Sequence, residues 1–444
     1  MMPVNNRVIV FSRYPEPGVT KTRMIPALGA ERAAQLQQAL TKRTLAVVND
    51  FGADHSCDLE VRFAGGEASR MSRMFGAGLT YRSQSGGDLG QRLTDAFATA
   101  FHEGATRVVV MGSDCPEIDS AILDEAFNAL SHVDVVLGPA IDGGYYLIGL
   151  SANQPHLFEK IEWGSENVLR QTARKAKQSR CKVHYLQTLS DVDYPEDLVV
   201  CRRFPETFDN VLPRTREGML SVIVPTLNEE QCLEQTLRGI VGLPNVEVIV
   251  TDGGSEDRTI DIARHMGATV VLANPGRGCQ MNAGAAVASG DVLLFLHADT
   301  QLPESFHQHV RATLQRGVIA AAFSLLIDGD HFGLRWIEKG VNFRSRFLGR
   351  PYGDQGLFVS AKSFYKLGGF PNWPLMEDVE LCRRLRKRGA ISLAEAAVTT
   401  SARRWLRLGI LKTTLINQLC IASYHLGVSP AKLDQWYRSR RWVS

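Results

Sequence analysis

The sequence predicts an α/β protein of two tandem domains, each a mostly parallel sheet with helices on both faces. Three observations carry this expectation. The chain has 444 residues, beyond the size at which one hydrophobic core keeps growing. Short apolar runs alternate with helix-length segments, and the series starts twice, near Val8 and near Leu220. Between the two series lies Pro205–Gly218, a polar stretch containing two prolines. The domains are therefore placed at 1–209 and 218–444, with the linker at 210–217.

The elements follow in chain order. In the first domain Val8–Phe11, Leu59–Phe63, Val108–Met111, Val133–Leu137 and Tyr145–Ile148 read as strands, and Glu31–Val48 and Leu89–Phe101 as helices. In the second, Val222–Val224, Val246–Val250, Thr269–Leu272 and Val292–Leu296 read as strands. Glu230–Ile240, Ser255–Met266 and Gln280–Ala288 read as helices, with Ser255 as an expected N-cap. Segment Asp328–Gly349 has no predicted fold.

Composition bounds the function. Apolar residues make up 44% and charged residues 22%, which is globular rather than disordered. A net charge of +3 gives no whole-protein case for nucleic-acid binding. The charge is uneven, however: Ser401–Ser444 holds eight Lys or Arg residues and one acid, Asp434. Eight scattered cysteines without a CxxC pair fit reduced thiols in a cytoplasmic protein. The first residues lack the apolar region of a signal peptide, and no run reaches 18 apolar residues.

Ligands of such sheets sit at the carboxyl ends of strands, so the polar residues there matter most. In the second domain these are Thr226 and Glu229, Asp252–Gly253–Gly254, His297–Ala298–Asp299, and the later pair Glu377–Asp378. Asp252 can accept hydrogen bonds from a base or ribose, and Gly253 lets backbone approach closely. Asp299 can hold Mg²⁺ or Mn²⁺, which prefer carboxylate oxygen and bridge phosphates. Arg277, between two glycines, offers a fork to phosphate. Asp378 begins a helix and is the candidate base for an acceptor hydroxyl, with Glu377 its rival. Each has a plainer reading as turn, cap or surface loop, but the ordered set is more specific than its parts.

The runs SVIVPTLNEE, VIVTDGGSEDRT, GRGCQMNAGAAVASGDVLLFLHADT, GDQG and PLMEDVELCRRLRKRG resemble family 2 glycosyltransferases of nucleotide-diphospho-sugar transferase, Rossmann-like fold. The resemblance spans about Leu220 to Gly389. It implies inverting transfer from a nucleotide sugar to a small-molecule acceptor, with Asp252 at the base, Asp299 at the metal and Asp378 as base. The usual Asp-x-Asp is replaced by His297–Ala298–Asp299, which resembles the radical-SAM/selenodomain-associated type 2 subgroup and hints at arsenosugar-type products.

In the first domain, Gly18, Lys21 and Arg23 follow the first strand and form a candidate phosphate clamp, although no Walker A loop is present. Asp114, after Val108–Met111, is the metal candidate. The runs PEPGVTKTRM, GDLGQRL, GSDCPEID, GPAIDGGYYLIGL and LSDVDYPEDL resemble the companion type 1 family, itself similar to small nucleotidyltransferases. The resemblance implies a nucleotidyltransferase or a second glycosyltransferase.

Two rival functions follow. Leu408, Leu411, Leu415, Leu419, Ala422 and Leu426 share one helical face in the basic C-terminal region, which fits a membrane-surface enzyme with a lipid-linked acceptor, peripheral at the inner face of the membrane. A nucleotide-sugar sensor without catalysis would lack the acids, yet Asp114, Asp299 and Asp378 are present.

Overall fold

The computed structural model describes residues 5–439. The side chains of Arg404, Leu408, Arg438 and Ser439 are outside that description, and so is the Leu408 position of the expected apolar face. The chain forms two α/β units, each with its own sheet. One comprises Met1–Asp193 and Glu206–Val211, the other Tyr194–Pro205 and Leu212–Ser444. The division differs from a single cut at 210–217. Tyr194–Pro205 belongs with the second unit, and Arg216–Gly218 is already strand.

The first unit has strands β1 (Asn6–Arg13), β2 (Cys57–Ala64), β3 (Thr80–Ser83), β4 (Arg107–Gly112), β5 (Val135–Pro139), β6 (Tyr145–Leu150) and β7 (Val183–Tyr185). Their order is β3-β2-β1-β4-β6-β5-β7, parallel except that β6 runs against both β4 and β5. Alternation along β1 explains the layering. Val8 and Val10 pack on one face with Leu45, Val48 and Phe51 from helix Ala30–His55, whereas Ile9 packs on the other with Leu93 and Phe97 from helix Leu89–His102. Both faces are covered, so the central strands read as continuous apolar runs.

The second unit has β8 (Arg216–Thr226), β9 (Val246–Asp252), β10 (Thr269–Leu272), β11 (Gly290–Phe295), β12 (Thr300–Gln301), β13 (Ala320–Asp328), β14 (Leu357–Ser360) and β15 (Ile391–Ser401). Their order is β10-β9-β8-β11-β14-β13-β15-β12. The first four are mutually parallel, and β14 is antiparallel to both its neighbours. Helix Arg277–Val287 lies close on this sheet. A Cβ at Gly284 would come within 2.6 Å of Ile223 Cγ2 and 2.8 Å of Thr251 Cγ2, so only glycine permits that approach. Most of Asp328–Gly349 is a 17-residue helix, Phe332–Leu348.

Tyr194–Pro205 is tied to the second unit by polar contacts. Asn274 Nδ2 donates to Glu196 Oε1 at 2.8 Å. Arg202 donates to the carbonyls of Pro213 and Ala288 and lies over the Tyr365 ring, 5.0 Å from its centroid.

Candidate active site

In the second unit β8, β9 and β11 bring their carboxyl ends to one edge. Asp252 there is fully enclosed, and its carboxylate is spent on its own turn. Oδ1 accepts from the Gly254 and Ser255 N–H groups at 2.9 and 2.7 Å. Oδ2 accepts from the Thr226 and Ser255 hydroxyls at 3.0 and 2.5 Å. These bonds occupy the capacity of a carboxylate. Ser255 is thereby a turn partner of Asp252 rather than the cap of the next helix, which begins at Thr259, with Asp257 Oδ1 accepting from that residue's N–H. Gln280 donates to the Thr226 and Thr251 carbonyls at 2.7 and 2.8 Å, pinning helix Arg277–Val287 to both strand ends. A Cβ at Gly253 would meet Gln280 at 3.2 Å and Pro275 at 3.3 Å, so a side chain there would press on both.

Beside this turn, Glu229 and Asp299 share Arg403. Its Nη2 stands 3.1 Å from Glu229 Oε2 and 3.5 Å from Asp299 Oδ2. Burial pushes the Glu229 carboxyl up while Arg403 opposes the shift. Among the described residues no three His, Cys, Asp or Glu side chains are arranged to hold a metal ion. The oxygen donors of Glu229 and Asp299 nonetheless match Mg²⁺, which takes one or two carboxylates and completes its shell with phosphate and water.

A second group of residues gathers at Asp378. This carboxylate is half-buried. Oδ2 accepts from the Gly353 N–H at 2.8 Å, and Oδ1 from the Val379 N–H at 2.7 Å. A Cβ at Gly353 would lie 2.9 Å from His297 Nε2 and 3.5 Å from Asp378 Oδ2, so the imidazole and the carboxylate close on that glycine. Glu377 points elsewhere and is buried, with its Cβ close to Gly278. Burial pushes its carboxyl up to about 7, the Asp378 charge adding and Arg277 opposing. Asp354 is pushed up to about 6 by burial, against the pull of Arg344. Its Oδ1 is enclosed without a hydrogen-bond partner among the described residues. Arg277, at the first turn of its helix, is exposed.

The supporting contacts escape sequence reasoning. Gln355, fully buried, donates to the Phe323 carbonyl at 3.0 Å and accepts from the Ser345 hydroxyl at 2.7 Å, fixing the Gly353–Gln355 turn. Glu380 anchors helix Glu377–Arg386. Burial works against its charge, but hydrogen bonds from Arg383, Tyr424 and Arg384 hold its carboxyl down at about 2.

The first unit has its own cavity of about 600 Å³, lined by Arg13, Lys21, Arg23, Gln84, Arg92 and Asp114, among others. Lys21 lines it, with its ammonium group already paired. Its Nζ lies 3.0 Å from Asp114 Oδ1 and 3.0 Å from Asp193 Oδ1 and donates to the Val192 carbonyl at 2.8 Å. Burial opposes the Lys21 charge, but the two aspartates outweigh it and raise the pKa. Asp114 thus meets an ammonium group in the described structure. Asp191 nearby is pushed up to about 6 by burial, with Asp142 and Asp193 adding. Gly18 takes a left-handed φ of 80° in the same loop, and Arg23 Nη1 is 3.7 Å from Asp193. The GDLGQR run is a helix start: Asp88 and Gln91 form a reciprocal capping box, and Arg92 reaches Gln84 Oε1 at 3.3 Å.

Residues 221–366 match glycosyl transferase family 2. Residues 44–165 match a second family, DUF2064, described as an uncharacterized protein conserved in bacteria. The first match agrees with the family 2 resemblance of the second domain, whereas the radical-SAM/selenodomain-associated assignments are corrected, because the families matched are family 2 and DUF2064. The chain is similar to the "Probable glycosyltransferase YdaM" of Bacillus subtilis (strain 168), 28% identical over 228 residues, 44% of this chain and 54% of that protein. It is also similar to the 4,4'-diaponeurosporenoate glycosyltransferase of Staphylococcus haemolyticus (strain JCSC1435), 34% identical over 114 residues, 24% of this chain and 30% of that one. The chain thus spans about half or less of these curated relatives. Among solved structures, a candidate nucleotide-diphospho-sugar transferase of Desulfovibrio desulfuricans G20 is 35% identical, covering 46% of this chain and 88% of that one, with a TM-score of 0.43.

Proposed function

We propose that the second unit transfers a sugar from a nucleoside-diphosphate donor to an acceptor hydroxyl with inversion, and that Asp378 is the base. The observation that carries this reading is the half-buried Asp378 carboxylate, oriented by two backbone N–H groups and set beside His297, which follows β11. The acceptor oxygen attacks the anomeric carbon as the bond from that carbon to the diphosphate oxygen breaks. Its proton passes to Asp378. Arg277 meets the departing diphosphate. Thr226, Asp252 and Gly253 shape the donor pocket through their turn, Asp252 serving as its organiser. Glu229 and Asp299 would hold Mg²⁺ or Mn²⁺, which when bound neutralises charge on the leaving group.

For the first unit we propose nucleotide binding in the cavity. Arg13, Arg23 and Arg92 supply the phosphate contacts there, and Asp114 and Lys21 form a charged floor. Its transfer chemistry is that of a nucleotidyltransferase or a second glycosyltransferase.

The test is product analysis of the full chain with a panel of nucleotide sugars and acceptors, followed by steady-state kinetics. Asp378→Asn is expected to lower kcat by roughly 10²–10⁴, with donor Kd unchanged by titration. Excess EDTA is expected to stop transfer and added Mg²⁺ to restore it. A near-wild-type kcat in Asp378→Asn, or a loss of donor binding instead, removes Asp378 from the role of base.

A further inference from the structure

Two helices of the second unit expose apolar side chains that their own core does not use. On Phe332–Leu348, residues Phe332, Trp336, Phe343 and Phe347 fall on one helical face and are 72%, 64%, 62% and 68% exposed. Leu334, Glu338 and Ser345 of the same helix are buried. On Ile410–His425, Leu411 and Leu415 are 86% and 61% exposed, and Leu419 continues their stripe. The helices adjoin, for a Cβ at Gly333 would meet Ile410 Cγ2 at 3.3 Å. Single exposed leucines need no explanation, but clustered aromatic rings on one helix do.

The charges around the middle and end of the first stripe are mostly positive, whereas the exposed Asp328 and Asp330 lie before its start. Residues 331–352 hold Arg335, Lys339, Arg344, Arg346 and Arg350 against a single acid, Glu338, which is buried and paired with Arg335 at 2.9 Å. From Ala396 to Leu433 the sequence has no Asp or Glu; Arg407 is exposed there, while Arg403 is engaged by Glu229 and Asp299. An apolar protein partner would bury Lys339, Arg346 and Arg350 without supplying a counter-charge. A bilayer of anionic lipid offers hydrocarbon to the rings and phosphate to the cations at its rim.

We propose that this face docks on an anionic lipid bilayer. Phe343, Phe347 and Trp336 enter the headgroup–acyl boundary, and Lys339, Arg346 and Arg350 meet lipid phosphates. The Gly353–Asp354 turn begins shortly after this helix ends, so docking would set the Asp378 site close to the lipid surface. The proposal does not depend on sugar transfer, and its test needs no turnover.

The experiment is cosedimentation of the full chain with vesicles of phosphatidylglycerol and phosphatidylcholine, and with phosphatidylcholine alone. Binding is expected to the anionic vesicles, weakened by salt. The double variant Phe343→Ser/Phe347→Ser is expected to lose roughly tenfold or more in binding, with its melting temperature preserved. A second readout does not require that variant to fold. Brominated lipid should quench wild-type tryptophan emission, and Trp336→Phe should lose most of that quenching. Absence of binding to anionic vesicles, or unchanged quenching in Trp336→Phe, overturns the proposal. So does self-association in sedimentation velocity that the double substitution abolishes while no vesicle binding occurs, because a second copy then covers the face.

Discussion

Glu377 and Asp378 are sequence neighbours, the first buried and the second half-buried. Burial raises the Glu377 carboxyl from 4.5 to about 7, so the folded chain keeps a proton that the unfolded chain has released. A group raised on folding contributes stability that is complete below its unfolded pKa and lost as pH rises through its folded one. Stability is therefore expected to fall between about pH 4.5 and pH 7. Asp354, raised from 3.8 to about 6, acts in the same direction. Glu377→Gln cannot ionise. Thermal melts should show it more stable than wild type at pH 8 and equal to it near pH 4. Parallel melting profiles for the two proteins across that range would show that no buried proton is held at Glu377. The acids themselves were legible as strand-end and helix-start residues. The partner of Lys21 was not, since Asp193 lies 172 positions away and only the folded sheet brings it near.

At the scale of elements, the site rests on the turn Gly353–Gln355 and the helix Glu377–Arg386. The GDQG run was read as part of the family 2 resemblance, and the structure gives Gly353 a specific reason. Any side chain there would enter the space between His297 and Asp378. Gly353→Ala is accordingly predicted to displace the His297 ring, at a cost of about 1–3 kcal/mol for overpacking. The expected signature is a kcat well below wild type with the cooperative melt retained. A kcat equal to wild type would mean that His297 and Asp378 tolerate separation, and so do not act together. The helix beginning at Glu377 was legible from acids followed by an apolar period. Its anchor was not, because Glu380 is held by Tyr424 from a helix 44 residues onward. Local sequence reports caps and turns, whereas anchors depend on which helices meet.

For the whole molecule, the doubled α/β pattern was legible because parallel strands covered on both faces leave long apolar runs. Strand direction was not legible. The runs at β5 and β6 look alike, yet β6 is antiparallel to both its neighbours. Weakly apolar strands such as β15, rich in alanine and threonine, leave no run to read. The domain boundary failed in a related way. A polar, proline-containing stretch looks like a linker, but Tyr194–Pro205 is bound into the second unit through Glu196 and Arg202. This gives a direct prediction about fragments. A fragment of residues 218–444 lacks Glu196 and Arg202, so Asn274 and the Ala288 carbonyl lose their partners and the Tyr365 ring loses its cation. It also lacks the first two residues of β8, where Arg216 N–H donates to the Ser289 carbonyl. Polar groups left without partners cost about 1–3 kcal/mol each when they stay buried. Fragment 194–444 keeps all of these contacts. Both fragments are to be compared by thermal denaturation under one condition, and 194–444 is expected to melt cooperatively at a clearly higher temperature. Equal melting temperatures would mean that Tyr194–Pro205 contributes nothing to the second unit and that the polar stretch acts as a linker after all.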